Sequence, residues 1–323
     1  MKIVIIKGSS IGDAVLAIPL LRNVRKNYPD AEITLVTEDS VAGLGMLEKS
    51  NYADKIVQIK KKSFLSKLGS LRKIAGLVSS RYDIVILGMP VTEKKIRLAK
   101  MFKAMKTIAP ERELYEKHEK SIVDVDLEML KTSGIPIDDG HLEVFFDEKT
   151  MQRLENAKID KKSIAIYPGR DPDVYRKWYD ERWIELVDKL REKYDVSIIG
   201  GSECFETAHN IAKSFGLKTN VANLAGRTTL EQTAVLLKKS RLFITTNGGP
   251  MHLAAALGVP MVVLHTSSAD MWLPRTRKAV ILKGKCKNKC PNDWCRLSEE
   301  SRGMCQDISV KNVEKAVRKM LRK

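Results

Sequence analysis

Short apolar runs alternate with amphipathic stretches along nearly the whole chain, and this alternation restricts the fold more than any other feature. Runs suited to strands are Lys2–Lys7, Glu32–Thr37, Lys55–Ile59, Asp83–Gly88 and Thr107–Ala109 in the first half. The second half repeats the pattern at Ser163–Tyr167, Val196–Ile199, Val221–Leu224, Leu242–Thr245 and Met261–Leu264. Helical periodicity fills intervals at Asp13–Tyr28, Glu181–Lys193, Glu203–Phe215, Leu230–Lys239 and Pro250–Leu257. Strands alternating with helices build parallel sheets through right-handed crossovers. Two such series predict an α/β protein of two doubly wound lobes, and 323 residues suffice for two domains of the usual ~100–150. The boundary is expected in the polar stretch DEKTMQRLENAKIDKK, giving lobes of 1–155 and 156–308 and a last helix over 309–323.

Composition narrows the class further. With 43% hydrophobic and 30% charged residues the chain can bury a core and stay in water, which excludes whole-chain disorder. The longest nearly unbroken apolar stretch, Leu253–Leu264, falls short of the roughly 20 residues of a spanning helix. Met1 leads straight into a strand-like run without a cleavage-site pattern, so a cytoplasmic location is expected. The net charge of +17 is uneven: residues 51–106 hold 14 Lys and Arg against Asp54, Asp83 and Glu93, a net +11. Residues 309–323 add six basic side chains against Glu314. Such clusters attract nucleic acid, a phospholipid surface or a phosphorylated substrate, or serve only as a solvated face. Aromatics make up only 6% of the chain and no recognition motif is visible, so no nucleic-acid partner is expected.

Ligands of open parallel sheets bind beyond the carboxyl ends of strands, and two loops there are unusual. The first reads Lys7-Gly8-Ser9-Ser10-Ile11-Gly12-Asp13, which is neither the dinucleotide fingerprint nor a P-loop. Asp13 falls at a helix start, where a carboxylate either caps free N–H groups or serves as a base if it faces a substrate. The second reads Thr246-Asn247-Gly248-Gly249-Pro250-Met251-His252. Pro250 suits a first helical turn, and two glycines let an anion approach the unpaired N–H groups of a helix start. A well-formed strand–helix turn with a packed histidine explains the same residues.

Taken together, four segments resemble glycosyltransferase family 9, the heptosyltransferases. They are SSIGDAVLAIPLLRNVRKNYPDAEI, IAIYPGRDPDVYRKWYDERWIELVDKL, VSIIGGSECFETAHNIA and NLAGRTTLEQTAVLLKKSRLFITTNGGPMHLAAALGVP, in family order across residues 1–264. The resemblance implies a GT-B fold of two Rossmann-like lobes facing a cleft, the N-terminal one holding the acceptor and the C-terminal one the donor. It implies an inverting transfer of a sugar, typically heptose, from an ADP-sugar to a hydroxyl of an anionic lipopolysaccharide-core acceptor. Asp13 matches the catalytic base, and Lys7, Ser9, Ser10 and Gly12 are expected at the acceptor. Arg176, Lys177, Glu203, Asn247, Gly248, Gly249 and His252 are expected at the donor. The resemblance implies no catalytic metal, and a last helix packed back on the N-terminal lobe.

Two departures touch the donor end. Asn247 stands where the family commonly has Asp, and His265-Thr266-Ser267-Ser268-Ala269-Asp270 replaces an aromatic, Gly-Pro-Thr and Asp. Near the end, Cys286, Cys290, Cys295 and Cys305 form a cluster that favours structural zinc or iron in a reducing compartment. Family members with such clusters include protein-modifying autotransporter heptosyltransferases, which keeps a protein acceptor as an alternative; a non-enzymatic basic nucleic-acid-binding protein is a further one. Phe64, Leu68, Leu71, Ala75 and Val78 recur at helical spacing among Lys60–Lys62, Lys67, Arg72 and Lys73. That face either packs in the core or meets the acceptor or the inner-membrane surface.

Overall fold

The structure, a computed structural model of the chain, describes residues 1–8, 10–38, 43–59, 72–111, 120–171, 177–216, 219–266, 269–285 and 304–322. Contacts divide it into two units, Met1–Phe146 and Asp147–Lys323, each with its own parallel sheet.

The first sheet holds β1 (Lys2–Lys7), β2 (Glu32–Glu38), β3 (Lys55–Ile59), β4 (Tyr82–Leu87) and β5 (Ala104–Ile108) in the order β3-β2-β1-β4-β5. Its helices are α1 (Ile11–Asn27), α2 (Leu44–Lys49), α3 (Glu93–Met101) and α4 (Ile122–Thr132), with a further helical stretch at 72–78. Successive strand residues point to opposite faces. On β1, Ile3 and Ile5 share one core with Ala14, Ile18 and Leu21 of α1 and Leu130 of α4. Val4 and Ile6 share the other with Val85, Phe102 and the half-buried Ile74, Leu77 and Val78. Burial on both faces explains why KIVIIK shows no polar alternation. Ser10, Thr92 and Ser121 cap α1, α3 and α4 through backbone N–H groups three residues on.

The second unit contains α5 (Glu148–Glu155), β6 (Asp160–Tyr167), α6 (Asp180–Arg191), β7 (Asp195–Ile198), α7 (Phe205–Lys213), β8 (Val221–Asn223) and α8 (Leu230–Lys239). It continues with β9 (Ser240–Thr246), α9 (Gly249–Ala256), β10 (Met261–His265), β11 (Ala279–Lys283) and α10 (Val310–Leu321). Its strands pair in parallel in the order β11-β10-β9-β6-β7-β8. Thr229 and Gln232 form a reciprocal capping box that starts α8.

Every expected strand is present within a few residues, and β11 joins them unannounced by the sequence reading. The division falls at Phe146/Asp147 rather than Glu155/Asn156, because α5 buries Thr150 and Leu154 and packs on α8 of the second unit. The last helix docks on α6, β9, β10 and β11 of its own unit. In the basic stretch, 72–78 turns Ile74, Leu77 and Val78 to the core and leaves Ala75 outside, so part of that face is core. Phe64, Leu68 and Leu71 lie outside the described residues. No helix among the described residues is long and apolar enough to cross a membrane.

Candidate active site

Each sheet reverses its winding once, between β1 and β4 in the first and between β6 and β9 in the second. Open parallel sheets offer ligand crevices at such switch points, beyond the carboxyl ends of the strands. The loops after β1 and β9, singled out from the sequence, lie at these two places.

In the first unit the loop is built around the start of α1. The Ser10 hydroxyl accepts the N–H of Asp13 at 3.2 Å and donates to its Oδ2 at 2.6 Å. Capping therefore falls to Ser10, and Asp13 Oδ1 takes no hydrogen bond among the described residues. A Cβ on Gly8 would lie 2.6 Å from Asp13 Oδ2, so only glycine lets the carboxylate fold over the end of β1. Gly12 is buried in the same turn, and Ser9 lies outside the described residues.

Lys7, expected at the acceptor, is 1% exposed and pairs with the equally buried Asp126. Asp126 also accepts the Met89 N–H at 2.8 Å, tying the ends of β1 and β4 together. Burial pushes its carboxyl upward, against the opposing pull of Lys7. The ammonium of Lys7 is thus committed inside the unit.

In the second unit α9 starts at Gly248 with no side-chain cap and carries Pro250 in its first turn. The beginning of α7 differs, since Asp171 occupies it by accepting the N–H groups of Glu206 and Thr207 at 2.8 and 3.1 Å. An uncapped start holds unpaired N–H groups and the positive end of the helix dipole, both suited to an anion. Tyr167, the last residue of β6, lies between the glycine turns. A Cβ on Gly248 would sit 2.7 Å from its ring, and one on Gly200 would sit 3.1 Å from it. Neither Tyr167 nor Asp171 was identified from the sequence; the aromatic ending the run IAIYPG was the available signal.

The Glu203 carboxylate folds back to accept the Gly201 N–H at 3.1 Å. Lys177 reaches Asp180 and Thr207 at 3.5 and 3.4 Å, and its carbonyl accepts the Gln306 amide. His252 is 4% exposed and lies in the first turn of α9. Arg176 lies outside the described residues.

Asn247 is 6% exposed and turned inward. Its Oδ1 accepts the Thr266 N–H at 3.0 Å, so its Nδ2 donates to His265 Nδ1 at 2.9 Å. That leaves the His265 proton on Nε2, which donates to Asp270 Oδ1 at 3.0 Å. Lys283 binds both Asp270 oxygens at 2.7 and 2.6 Å. Burial acts to raise the Asp270 carboxyl, but Lys283 and His265 outweigh it and hold the group below its usual range. The two departures at 247 and 265 therefore touch each other, and the Asn247 amide joins two strand ends.

Among the four clustered cysteines Cys305 is described and buried, whereas Cys286, Cys290 and Cys295 lie outside the described residues. Cys204 packs beside Gly200, and burial, then Glu203 and Asp171, push its thiol up to about 12. It is a packing residue, not a nucleophile.

Comparison with known proteins adds an independent line. The sequence model of glycosyltransferase family 9 (heptosyltransferase) matches residues 91–299, more than half of the chain. Lipopolysaccharide heptosyltransferase 2 of Salmonella typhimurium is 29% identical over 147 residues, 44% of this chain and 42% of that protein. The match thus spans about two fifths of that relative's length. The crystal structure of a family 9 glycosyl transferase from Veillonella parvula superposes with a TM-score of 0.75 at 21% identity, covering 99% of this chain and 97% of that one. The structure of ADP-heptose lps heptosyltransferase II from E. coli gives 0.71 at 21% identity, covering 99% and 98%.

Proposed function

Because the chain belongs to glycosyltransferase family 9, with two Rossmann-like units of the GT-B type, we propose that it transfers heptose from ADP-heptose to a hydroxyl of a lipopolysaccharide-core acceptor. The observation that carries the reading is the uncapped glycine start of α9 at the β6/β9 switch point, a site made for a diphosphate. Its N–H groups and helix dipole take up the charge that gathers on ADP as the sugar–oxygen bond breaks. The names of the related proteins supply the sugar and the nucleotide.

Asp13 is the general base in this mechanism. As the acceptor oxygen forms its bond to the anomeric carbon, Asp13 takes the hydroxyl proton and ADP departs with the bonding electron pair. Attack opposite the leaving group inverts the anomeric centre. Ser10 and Gly8 hold the carboxylate, one by hydrogen bond and the other by leaving space. Around the donor, Gly248 and Gly249 contact the diphosphate through the backbone, Arg176 and Lys177 add positive charge, and Glu203 meets the nucleotide. Asn247 and His252 shape the loop from behind. The four cysteines suit tetrahedral thiolate coordination of zinc or iron and would hold a structural metal, outside the chemistry.

Asp13→Asn should lower kcat by about 10²–10⁴ while calorimetry finds ADP affinity unchanged. Turnover near the wild-type rate would remove Asp13 as the base. Elemental analysis of anaerobically purified protein should find about one zinc or iron per chain; none would reject the metal site.

A further inference from the structure

Helix α10 has one face in the second unit's core and the other in solvent. Val310, Val313, Ala316 and Val317 are buried, and Arg241 donates to the Leu321 carbonyl at 2.8 Å, holding the last turn. Lys311, Lys315, Arg318, Lys319 and Arg322 are all exposed. Their spacing puts them on one side of the helix, in a row about 16 Å long.

Folding does not explain this row. The helix's only acid, Glu314, sits at its edge, 3.8 Å from Lys189 and 4.0 Å from Arg318. Among the described residues no carboxylate lies within 4.0 Å of Lys311, Lys315, Lys319 or Arg322. The helix dipole favours cations only in the last turn, and Lys311 stands in the first, where positive charge is disfavoured. Neighbouring like charges repel, so the arrangement is stabilised when an anionic surface meets all of them together.

We propose that this row docks the protein on an anionic phospholipid bilayer, a reading that rests on the acceptor being carried by a lipid. A straight row of cations on a rigid helix matches a plane of headgroups. The half-buried Met320 and Leu321 place apolar atoms among Arg318, Lys319 and Arg322, as helices lying at a bilayer surface do. The helix has no aromatic residue on which a nucleic-acid base could stack.

The test is flotation of the full chain with vesicles of phosphatidylethanolamine and phosphatidylglycerol, beside vesicles of phosphatidylcholine alone. Wild-type protein should float only with the anionic vesicles, and added salt should release it. Each cation removed should weaken binding about fivefold, so K311Q/K315Q/K319Q/R322Q should lose at least about 100-fold. The variant's thermal unfolding should match wild type, since all four side chains are exposed. Equal flotation of variant and wild type, no flotation of wild type, or tighter binding of single-stranded RNA than of vesicles at the same salt would each overturn the proposal. Turnover on a delipidated, water-soluble acceptor, assayed in parallel, should be equal in both proteins. Loss of that turnover in both counts against the transferase reading, whereas flotation alone decides the lipid surface.

Discussion

Tyr167 is the residue around which two glycine turns of the second unit are arranged, although nothing in its own chemistry marks it. It is 1% exposed, and its ring fills the space that glycine leaves at positions 200 and 248. Gly248→Ala would bring a methyl group 2.7 Å from the ring, and overpacking of this kind costs about 1–3 kcal/mol. ADP affinity should therefore fall about tenfold or more by calorimetry, most of it recovered when Tyr167→Leu is added. Asn247 gives a second prediction at this scale. In Asn247→Asp a carboxylate oxygen would face the lone pair of His265 Nδ1, and only a proton on the imidazole restores the bond. The folded state would then raise the imidazole's proton affinity. The stabilisation is present below about pH 6.5 and is lost as pH rises through the folded value. Denaturant midpoints of the variant, relative to wild type, should be higher near about pH 6 than near about pH 8. The sequence marked Asn247 and His265 as unusual; only the structure put them in contact, since 18 residues separate them.

At the scale of elements, α1 shows how a helix so nearly enclosed keeps its charged residues. Arg22 is 2% exposed, yet its guanidinium meets both Asp138 oxygens at 2.7 and 3.0 Å, the Glu143 carboxylate and the His141 carbonyl. The segment 138–143 is irregular, and this arginine fastens it to α1. The Arg22 hydrogen bonds hold the Asp138 carboxyl far below its usual range. A carboxyl depressed by folding contributes stability that is complete above the unfolded value and is lost toward the folded value, a loss that starts as pH falls below about 4. Acid unfolding should begin there, and Asp138→Asn should both cost about 2 kcal/mol at neutral pH and flatten the acid limb. Elements were legible where periodicity was strong, as in α8, whose limits Leu230 and Lys239 match the sequence expectation. β11 escaped because AVILK is short and lies among basic residues, and its partner β10 decides its identity. The limits of β5 shifted to Ala104–Ile108 because pairing with β4, not the apolar run alone, sets where a strand starts.

At the scale of the molecule, each unit has its own sheet and carries its own half of the candidate chemistry. A defect inside one should leave the other's binding intact. Asp126→Asn strands the buried Lys7 ammonium without its partner, a loss of about 3–5 kcal/mol. Thermal melts should show the first unit weakened, while ADP affinity measured well below the transition stays unchanged. The sequence by itself determined the parallel α/β architecture in two series, the family, and the two strand-end loops, because all of these follow from local periodicity and contiguous motifs. Tertiary structure alone decided that Lys7 pairs inward with Asp126, that Ser10 and not Asp13 caps α1, that Asn247 binds His265, and that the last helix lies on the second sheet. Each of these joins partners through three-dimensional proximity and competition for a single hydrogen bond or buried charge. A linear pattern does not specify which competitor wins.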